Sequence, residues 1–153
     1  MDIYTEKIYI GSDHAGFFLK QELIKYLSEK NYGIYDCGPE KYDHDDDYPD
    51  YVSIVAEYIS KDSKAKGIIL GKNGQGEAIV ANRFRNVRCA VFYGGPKHVI
   101  TLSREHDDAN ILSLGASFLT IDEAKKAVLL WLKTKFSHDE RHIRRIKKIE
   151  KYD

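Results

Sequence analysis

The alternation of short apolar runs with longer amphipathic segments is the feature that most limits the folds open to this chain. Apolar residues recur at helical spacing in the segments between the runs, for example at Leu19, Leu23 and Leu27. Strands and helices that alternate in this way form a parallel sheet with helices on both of its faces. We therefore predict an α/β protein, a Rossmann-like three-layer α/β/α domain with a five-stranded parallel sheet over residues 1–153. The predicted strands are 8–10, 34–35, 67–70, 87–92 and 111–114.

Capping residues mark where the two C-terminal helices are predicted to begin. Thr120 with Glu123 forms one predicted capping box, and Ser137 with Glu140 forms a second. The last helix is predicted to cover about residues 137–151, and it is strongly basic.

The charge balance and the lack of a long apolar run exclude several classes of protein. Lys and Arg number 24, and Asp and Glu also number 24, so no bulk charge attracts the chain to nucleic acid or to an anionic membrane. No apolar run has the length of a membrane span, and the first residues lack the apolar region of a signal peptide. The two cysteines, Cys37 and Cys89, are predicted to be free thiols in a reducing compartment. A cytoplasmic protein is expected.

A glycine-rich turn at residues 71–77 is the first candidate for chemistry. It follows the third predicted strand and precedes a helix that is predicted to begin at Ala78. Backbone N–H groups in such a turn, with the positive end of the helix dipole behind them, form an anion site. Glu77 at the end of the turn could accept a proton while these groups stabilise the developing negative charge. Alternatively, Glu77 only complements the dipole of the helix as a first-turn acid.

Further candidates follow the first two predicted strands, because ligands of parallel sheets bind at the carboxyl ends of the strands. Asp13 and His14 come directly after the first strand, where the alternative is an N-cap aspartate beside an exposed histidine. The acidic segment 43–47 lacks the spacing of a calcium loop and is predicted to be a solvated turn. The six histidines are scattered without zinc-ligand spacing, so no metal site is predicted.

The last helix and the segment before the fifth strand carry the remaining polar candidates. Arg141 and Arg145 are four residues apart and share a helix face, where two guanidinium groups could bind a phosphate. The alternative is a basic helix that charge keeps solvated. Segment 103–110 is almost entirely polar, which by itself indicates a solvated loop.

Five segments of the chain form one ordered pattern, namely 10–16, 46–49, 71–83, 103–110 and 141–145. Taken together and in this order, they resemble the type B ribose-5-phosphate isomerases. These belong to a sugar-phosphate isomerase family that also includes allose- and galactose-6-phosphate isomerases. The family divides by its catalytic base, which is a cysteine at the position of Gly71 in one branch and a glutamate at the position of Glu77 in the other. This chain resembles the glutamate branch.

The resemblance implies a mechanism and a set of site residues. Asp13 and His106 would open the furanose ring of the substrate, and Glu77 would then move a proton from C2 to C1 through a cis-enediolate. The N–H groups of residues 72–76 would form the oxyanion hole. Asn73, within that hole, is the fourth residue expected to be catalytic. The residues expected to contact the substrate are His14, Tyr48, Gly71, Lys72, Gly74, Gln75, Gly76, Asp107, Arg141 and Arg145.

The resemblance also implies a homodimer with shared active sites. In the family, His106 and the C-terminal arginines reach the site from the second subunit, so helix 137–151 is expected to reach the partner subunit. Two such dimers could associate into a tetramer. No metal or organic cofactor is expected, because proton transfer alone completes the reaction.

Four positions depart from the pattern of the family and leave the substrate open. Asp107 replaces the usual asparagine, Ser117 replaces an arginine of some relatives, and Lys72 and Asn73 replace small residues. Lys72 is hypothesised to supply the charge lost at Ser117 or to interact with Asp107. The leading prediction is an isomerase of ribose 5-phosphate. The alternatives are an isomerase of a six-carbon aldose phosphate such as allose 6-phosphate, a catalytically silent sugar-phosphate-binding protein and, least favoured, a nucleic-acid-binding module.

Overall fold

The computed structural model describes residues 6–153, in which five strands form one parallel sheet. The strands are β1 (Lys7–Ser12), β2 (Gly33–Asp36), β3 (Lys66–Gly71), β4 (Cys89–Phe92) and β5 (Ile111–Gly115). The α-helices are α1 (Phe17–Glu29), α2 (Tyr48–Lys61), α3 (Gln75–Ala81), α4 (His98–Glu105), α5 (Ile121–Lys133) and α6 (Glu140–Ile149). Short 3-10 turns cover His14–Gly16, Ala116–Phe118 and Glu150–Tyr152. No helix of this part of the chain is both long and apolar enough to cross a membrane.

The strand order β2-β1-β3-β5-β4 confirms the predicted three-layer α/β/α fold. One apolar core, which includes Leu23 and Trp131, lies between the sheet and helices α1, α4 and α5. A second core, which includes Val55 and Ala81, lies under α2 and α3 on the other face. The strand order reverses between β1 and β3, since β2 lies on one side of β1 and all later strands lie on the other. The crevice outside this switch point is where ligands of such sheets bind.

The two predicted capping boxes had different outcomes. At α5, Thr120 Oγ1 accepts the N–H of Glu123 at 3.1 Å, and Glu123 Oε2 accepts the N–H of Thr120 at 3.2 Å, which confirms the box. The box predicted for Ser137 and Glu140 was wrong, because α6 begins after Asp139. The Ser137 hydroxyl instead accepts the N–H of Asp139 and pairs with a histidine ring inside α6, so it is not available to cap the helix.

Two other boundaries shift by a few residues. Strand β4 begins at Cys89 and not at 87. Helix α3 begins at Gln75, so Glu77 lies within its first turn and not at the end of the preceding turn. The glycines around Gln75 have low helix propensity, which hid this early start in the sequence.

Helix α4 carries the chain from the carboxyl ends of the strands back to their amino ends. It follows β4 and ends at Glu105, shortly before β5 begins at Ile111. Helix α6 joins that same end of the sheet, because the N–H of Ser137 donates to the carbonyl of Glu105 at 3.1 Å. The glycine turn and the C-terminal helix therefore lie at opposite ends of the sheet.

A buried lysine fixes the loop between β2 and α2. Lys20 of α1 is fully buried, and its Nζ donates to Asp36 Oδ1 at 2.7 Å and to the carbonyl of Pro39 at 2.8 Å. The Gly38–Pro39 bond is cis. This loop leads to segment 46–49, the second of the five segments that carry the resemblance to the isomerase family.

Candidate active site

Glu77 is buried against the end of β3. Only 3% of the residue is exposed, and its Oε2 has no hydrogen-bond partner among the described residues. Its carboxylate lies over Gly71, where a Cβ built on position 71 would overlap Oε1. Residue 71 must therefore be glycine while Glu77 holds this position. A first-turn acid that only complements a helix dipole would be solvated, so burial favours the chemical interpretation.

Burial also shifts the pKa of this carboxyl group. It raises the pKa of Glu77 above the ordinary value of 4.5, and the nearby charge of Asp13 raises it further. A backbone hydrogen bond opposes the shift. A carboxylate with a raised pKa and an unpartnered oxygen is suited to accept a proton from a bound substrate.

The glycine turn is held open by specific backbone contacts. Gly74 has a φ of +79°, a left-handed conformation that favours glycine, and its carbonyl accepts the hydroxyl of Ser113 at 2.7 Å. Asn73 Oδ1 accepts the N–H of Gln75 at 2.9 Å. Asn73 therefore shapes the turn through its side chain, and Ser113 is a support that the sequence analysis did not identify.

Asp13 lies at the end of β1, beside the turn. It is 6% exposed, and its Oδ1 accepts the N–H of Gly16 at 3.2 Å, as expected of an N-cap. Burial is the main cause that raises its pKa. The charge of Asp13 acts on Glu77, so the structure brings these two predicted catalytic residues into one neighbourhood.

His14 is held by an aspartate that the sequence analysis placed in a solvated loop. Asp46 Oδ1 accepts both the backbone N–H of His14 at 3.0 Å and its Nδ1–H at 2.6 Å. The side chain of Asp46 is only 4% exposed, so the prediction of a solvated turn was wrong at this residue. The hydrogen bond raises the pKa of His14 and favours the imidazolium form. The only sequence signal for this pair was segment 46–49 of the family pattern.

Tyr48 completes this end of the sheet. Its hydroxyl oxygen would lie 2.5 Å from a Cβ at position 76, so Gly76 lets the tyrosine reach the turn.

Possible metal-ligand atoms of Asp13, His14 and Asp46 lie within 4.8 Å of one another. The bonds from Asp13 to Gly16 and from His14 to Asp46 already give these groups partners without a cation.

Four predicted site residues lie at the opposite end of the sheet, namely His106, Asp107, Arg141 and Arg145. His106 follows α4, and Asp107 there accepts Arg88 Nε at 3.0 Å through its carbonyl, just before β4. Arg141 and Arg145 are exposed on α6. Within one chain, the fold therefore separates His106, Asp107 and the two arginines from Asp13 and Glu77.

Lys72 and Ser117 are neighbours at the glycine turn. The N–H of Ser117 donates to the carbonyl of Lys72 at 3.0 Å, and both residues are exposed. Asp107 lies at the far end of the sheet, where its carbonyl accepts Arg88 Nε–H at 3.0 Å. Lys72 therefore does not meet Asp107 within one chain, and the second version of the Lys72 hypothesis would require a partner subunit.

A buried carboxylate with a raised pKa, a glycine turn and an acid–imidazole group at the switch point define a site for proton transfer on a small anionic ligand. Comparison with known proteins agrees with this class. The Ribose/Galactose Isomerase family matches residues 8–149. The chain belongs to this family of sugar-phosphate isomerases.

Individual relatives are similar over nearly their whole length. Ribose-5-phosphate isomerase B of Mycolicibacterium paratuberculosis is 38% identical over 147 residues, which cover 96% of this chain and 91% of the relative. The protein of the same name from Mycobacterium tuberculosis is 37% identical, with coverages of 96% and 90%. The solved structure of ribose-5-phosphate isomerase B from Mycoplasma genitalium contains bound ribulose-5-phosphate. It matches with a TM-score of 0.92 at 38% identity, over 97% of this chain and 96% of that chain.

Proposed function

We propose that this protein interconverts ribose 5-phosphate and ribulose 5-phosphate. The observation that carries the proposal is the carboxylate of Glu77, buried against Gly71 at the switch point with one oxygen free. The family relationship and the relative with bound ribulose-5-phosphate support the choice of substrate.

The reaction begins with the closed furanose form of the aldose. Asp13 of one subunit and His106 of the partner subunit move protons between the ring oxygen and the anomeric hydroxyl, which opens the ring. Glu77 then removes the proton from C2 to give a cis-enediolate and returns it to C1, while the proton of the C2 hydroxyl passes to the C1 oxygen. Backbone N–H groups of residues 72–76 stabilise the negative oxygen. The N–H of Gln75 already donates to Asn73, so its neighbours would supply the donors in this conformation.

Three cationic side chains are proposed to bind the phosphate group of the substrate. His14 carries a positive charge more readily because Asp46 accepts its Nδ1–H. Arg141 and Arg145 share the exposed face of α6, where their guanidinium groups can bind phosphate oxygens.

Within one chain, the catalytic residues proposed at the glycine turn are separated from His106, and this separation supports a homodimer with shared sites. Glu77 and Asp13 lie at the carboxyl ends of the strands, whereas His106 lies at the amino ends. A two-fold axis that places the His106 end of one subunit over the Glu77 end of the other would complete two equal sites. The chain would then act as one domain whose C-terminal helix reaches the partner, and pairs of dimers could form tetramers.

A cytoplasmic location is part of this proposal. Cys37 and Cys89 are free thiols, and burial raises the pKa of Cys37 to about 11, so that thiol is protonated at neutral pH. Neither cysteine occupies the position of the base used by the cysteine branch of the family.

The choice between five- and six-carbon substrates is tested by comparing kcat/KM for ribose 5-phosphate and allose 6-phosphate in the purified protein. We expect a clear preference for ribose 5-phosphate. A preference for the six-carbon sugar would instead assign the altered residues Asp107 and Ser117 to a longer substrate. Binding of both sugars without turnover would identify a silent binding protein.

Gly71→Ala should lower kcat at least about tenfold while the protein stays folded, because misplacing a catalytic group is costly even over short distances. The new methyl group would occupy the space of Glu77 Oε1. The carboxylate is the end of a flexible side chain and can move aside, which preserves the fold. Steady-state kinetics and the melting temperature measure the two effects. A wild-type kcat would show that the position of the Glu77 carboxylate is not critical.

Lys72→Gln should raise KM for ribose 5-phosphate about threefold to tenfold with little change in kcat, as expected for loss of one exposed charge near a phosphate. Lys72→Gly, with the residue usual in the family, should behave like Lys72→Gln if only the charge matters. An unchanged KM in both variants would rule out a contribution of Lys72 to phosphate binding.

A further inference from the structure

The ring of His106 is stacked on a second histidine that the proposed mechanism does not use. The ring centroids of His106 and His142 are 4.1 Å apart, and the ring planes are tilted by 32°. His142 belongs to α6 and is 2% exposed, although the rest of that helix is largely exposed. This contact connects the end of α4 with the C-terminal helix.

His142 is itself held from both sides. Its Nδ1 pairs with the Ser137 hydroxyl at 2.9 Å, and its Nε2 accepts Nε–H of Arg141 in a long contact of 3.4 Å. Ser137 is in turn bonded through its N–H to the carbonyl of Glu105, the residue before His106. These contacts assign the single proton of a neutral ring to Nδ1. Burial, with the neighbouring charges of His106 and Arg141, lowers the pKa of His142 and so favours the neutral form of its ring.

By contrast, the ring nitrogens of His106 have no hydrogen-bond partner in residues 6–153; only its backbone N–H is bonded, to Leu102. A residue that shuttles protons needs free ring nitrogens, yet it also needs a fixed ring plane. Stacking on His142 fixes the ring plane and leaves the ring nitrogens free, because the contact is made through the face of the ring.

We propose that His142 is a positioning residue for ring opening, which holds the plane of the His106 ring. This inference rests on the proposed function, because it assigns His106 to the ring-opening step. It predicts that loss of the flat ring at position 142 slows ring opening and leaves the proton transfer by Glu77 intact. A buried histidine with a purely structural role would instead affect both steps together.

The two steps can be measured separately. Conversion of ribose 5-phosphate requires ring opening. Exchange of the C1 proton of ribulose 5-phosphate with deuterated water does not, because this ketose has its C5 oxygen esterified and cannot form a furanose. His142→Leu and His142→Phe are a matched pair: both are apolar, suit a buried position and lack the histidine hydrogen bonds, but only phenylalanine keeps a flat ring.

We expect His142→Leu to lose at least about tenfold in conversion of ribose 5-phosphate, with C1 exchange within about twofold of wild type. His142→Phe should recover most of the lost conversion, and melting temperatures should show that both variants are folded. The inference would be overturned by no loss in His142→Leu, by equal losses of conversion and exchange, or by an equal loss of conversion in both variants. Failure of the wild-type protein in both assays would instead overturn the proposed function and this inference with it.

Discussion

Glu77→Gln should lower kcat for ribose 5-phosphate by about 10²–10⁴-fold, the usual contribution of a positioned general base. Glutamine has the same shape and fits the same space over Gly71, but it cannot accept the C2 proton. KM should change little, because the change removes an interaction made only as the proton moves. Steady-state kinetics of the purified variant measure the effect. A variant that keeps more than about a tenth of the wild-type kcat would assign the base elsewhere.

The same substitution should raise the melting temperature at neutral pH, which serves as its control for folding. Because burial raises the pKa of Glu77, the folded state binds its proton more tightly than the unfolded state does. This group favours folding below its unfolded pKa, and the benefit is lost as the pH rises through the folded pKa. The native protein therefore loses stability between acid and neutral pH through this carboxyl group, whereas glutamine cannot ionise, so the difference between the two proteins should disappear in acid. A less stable variant at neutral pH would contradict this account of the burial of Glu77.

Mixing two inactive variants should restore activity, which is the second large effect that we expect. Glu77→Gln lacks the base, and His106→Asn lacks the proton shuttle and should lose at least about 10²-fold in aldose turnover. If each site combines Glu77 of one subunit with His106 of the other, every mixed dimer contains one site with both native residues. Random pairing of equal amounts gives half mixed dimers, so the expected recovery is about a quarter of the wild-type rate.

Subunits with different tags, unfolded and refolded together, allow the mixed dimer to be purified and assayed by itself. The matched control is Glu77→Gln mixed with Asp13→Asn, because both residues lie at the same end of one chain. That mixed dimer has a defect in each of its two sites and should stay inactive. Failure of the first pair to recover, or equal recovery in both pairs, would contradict the shared site.

The contact between Gly71 and Glu77 gives a physical reason why a glutamate in this position requires glycine at residue 71. A side chain at position 71 and the carboxylate of Glu77 would compete for one space. The cysteine base that the resemblance implies at position 71 in one branch of the family, and the base that we propose at Glu77, would therefore exclude each other on steric grounds. This interpretation could not be made from the sequence, in which the two positions are six residues apart.

The fold could be predicted from the sequence because its signals are local. Apolar runs and helical spacing identified the strands and helices, and the Thr120–Glu123 capping box is complete within four residues. The capping box at Ser137 failed because the hydroxyl of that residue takes its partners from Asp139 and from the buried His142. A local pattern could not report that competition.

The candidate site could be predicted only in part, because local sequence patterns do not report contacts between residues that are far apart in the chain. Asp13, His14 and Glu77 follow strands, so the topology of a parallel sheet indicated that they would meet. The burial of Asp46 and its bonds to His14 depend on residues 32 positions apart. The stacking of His106 on His142 joins two helices that no periodicity relates. Such contacts arise from packing between elements, which the spacing of residues within an element does not encode.

The most direct test of the account is the reaction of ribose 5-phosphate with the purified protein in deuterated water, followed by NMR. Wild-type protein is predicted to form ribulose 5-phosphate with deuterium at C1, since the Glu77 carboxyl group can exchange its proton with solvent before returning it. Glu77→Gln is predicted to form no product over the same period. Formation of labelled ketose by both proteins at similar rates, or by neither, would contradict the central claim that Glu77 is the base of an aldose–ketose isomerase.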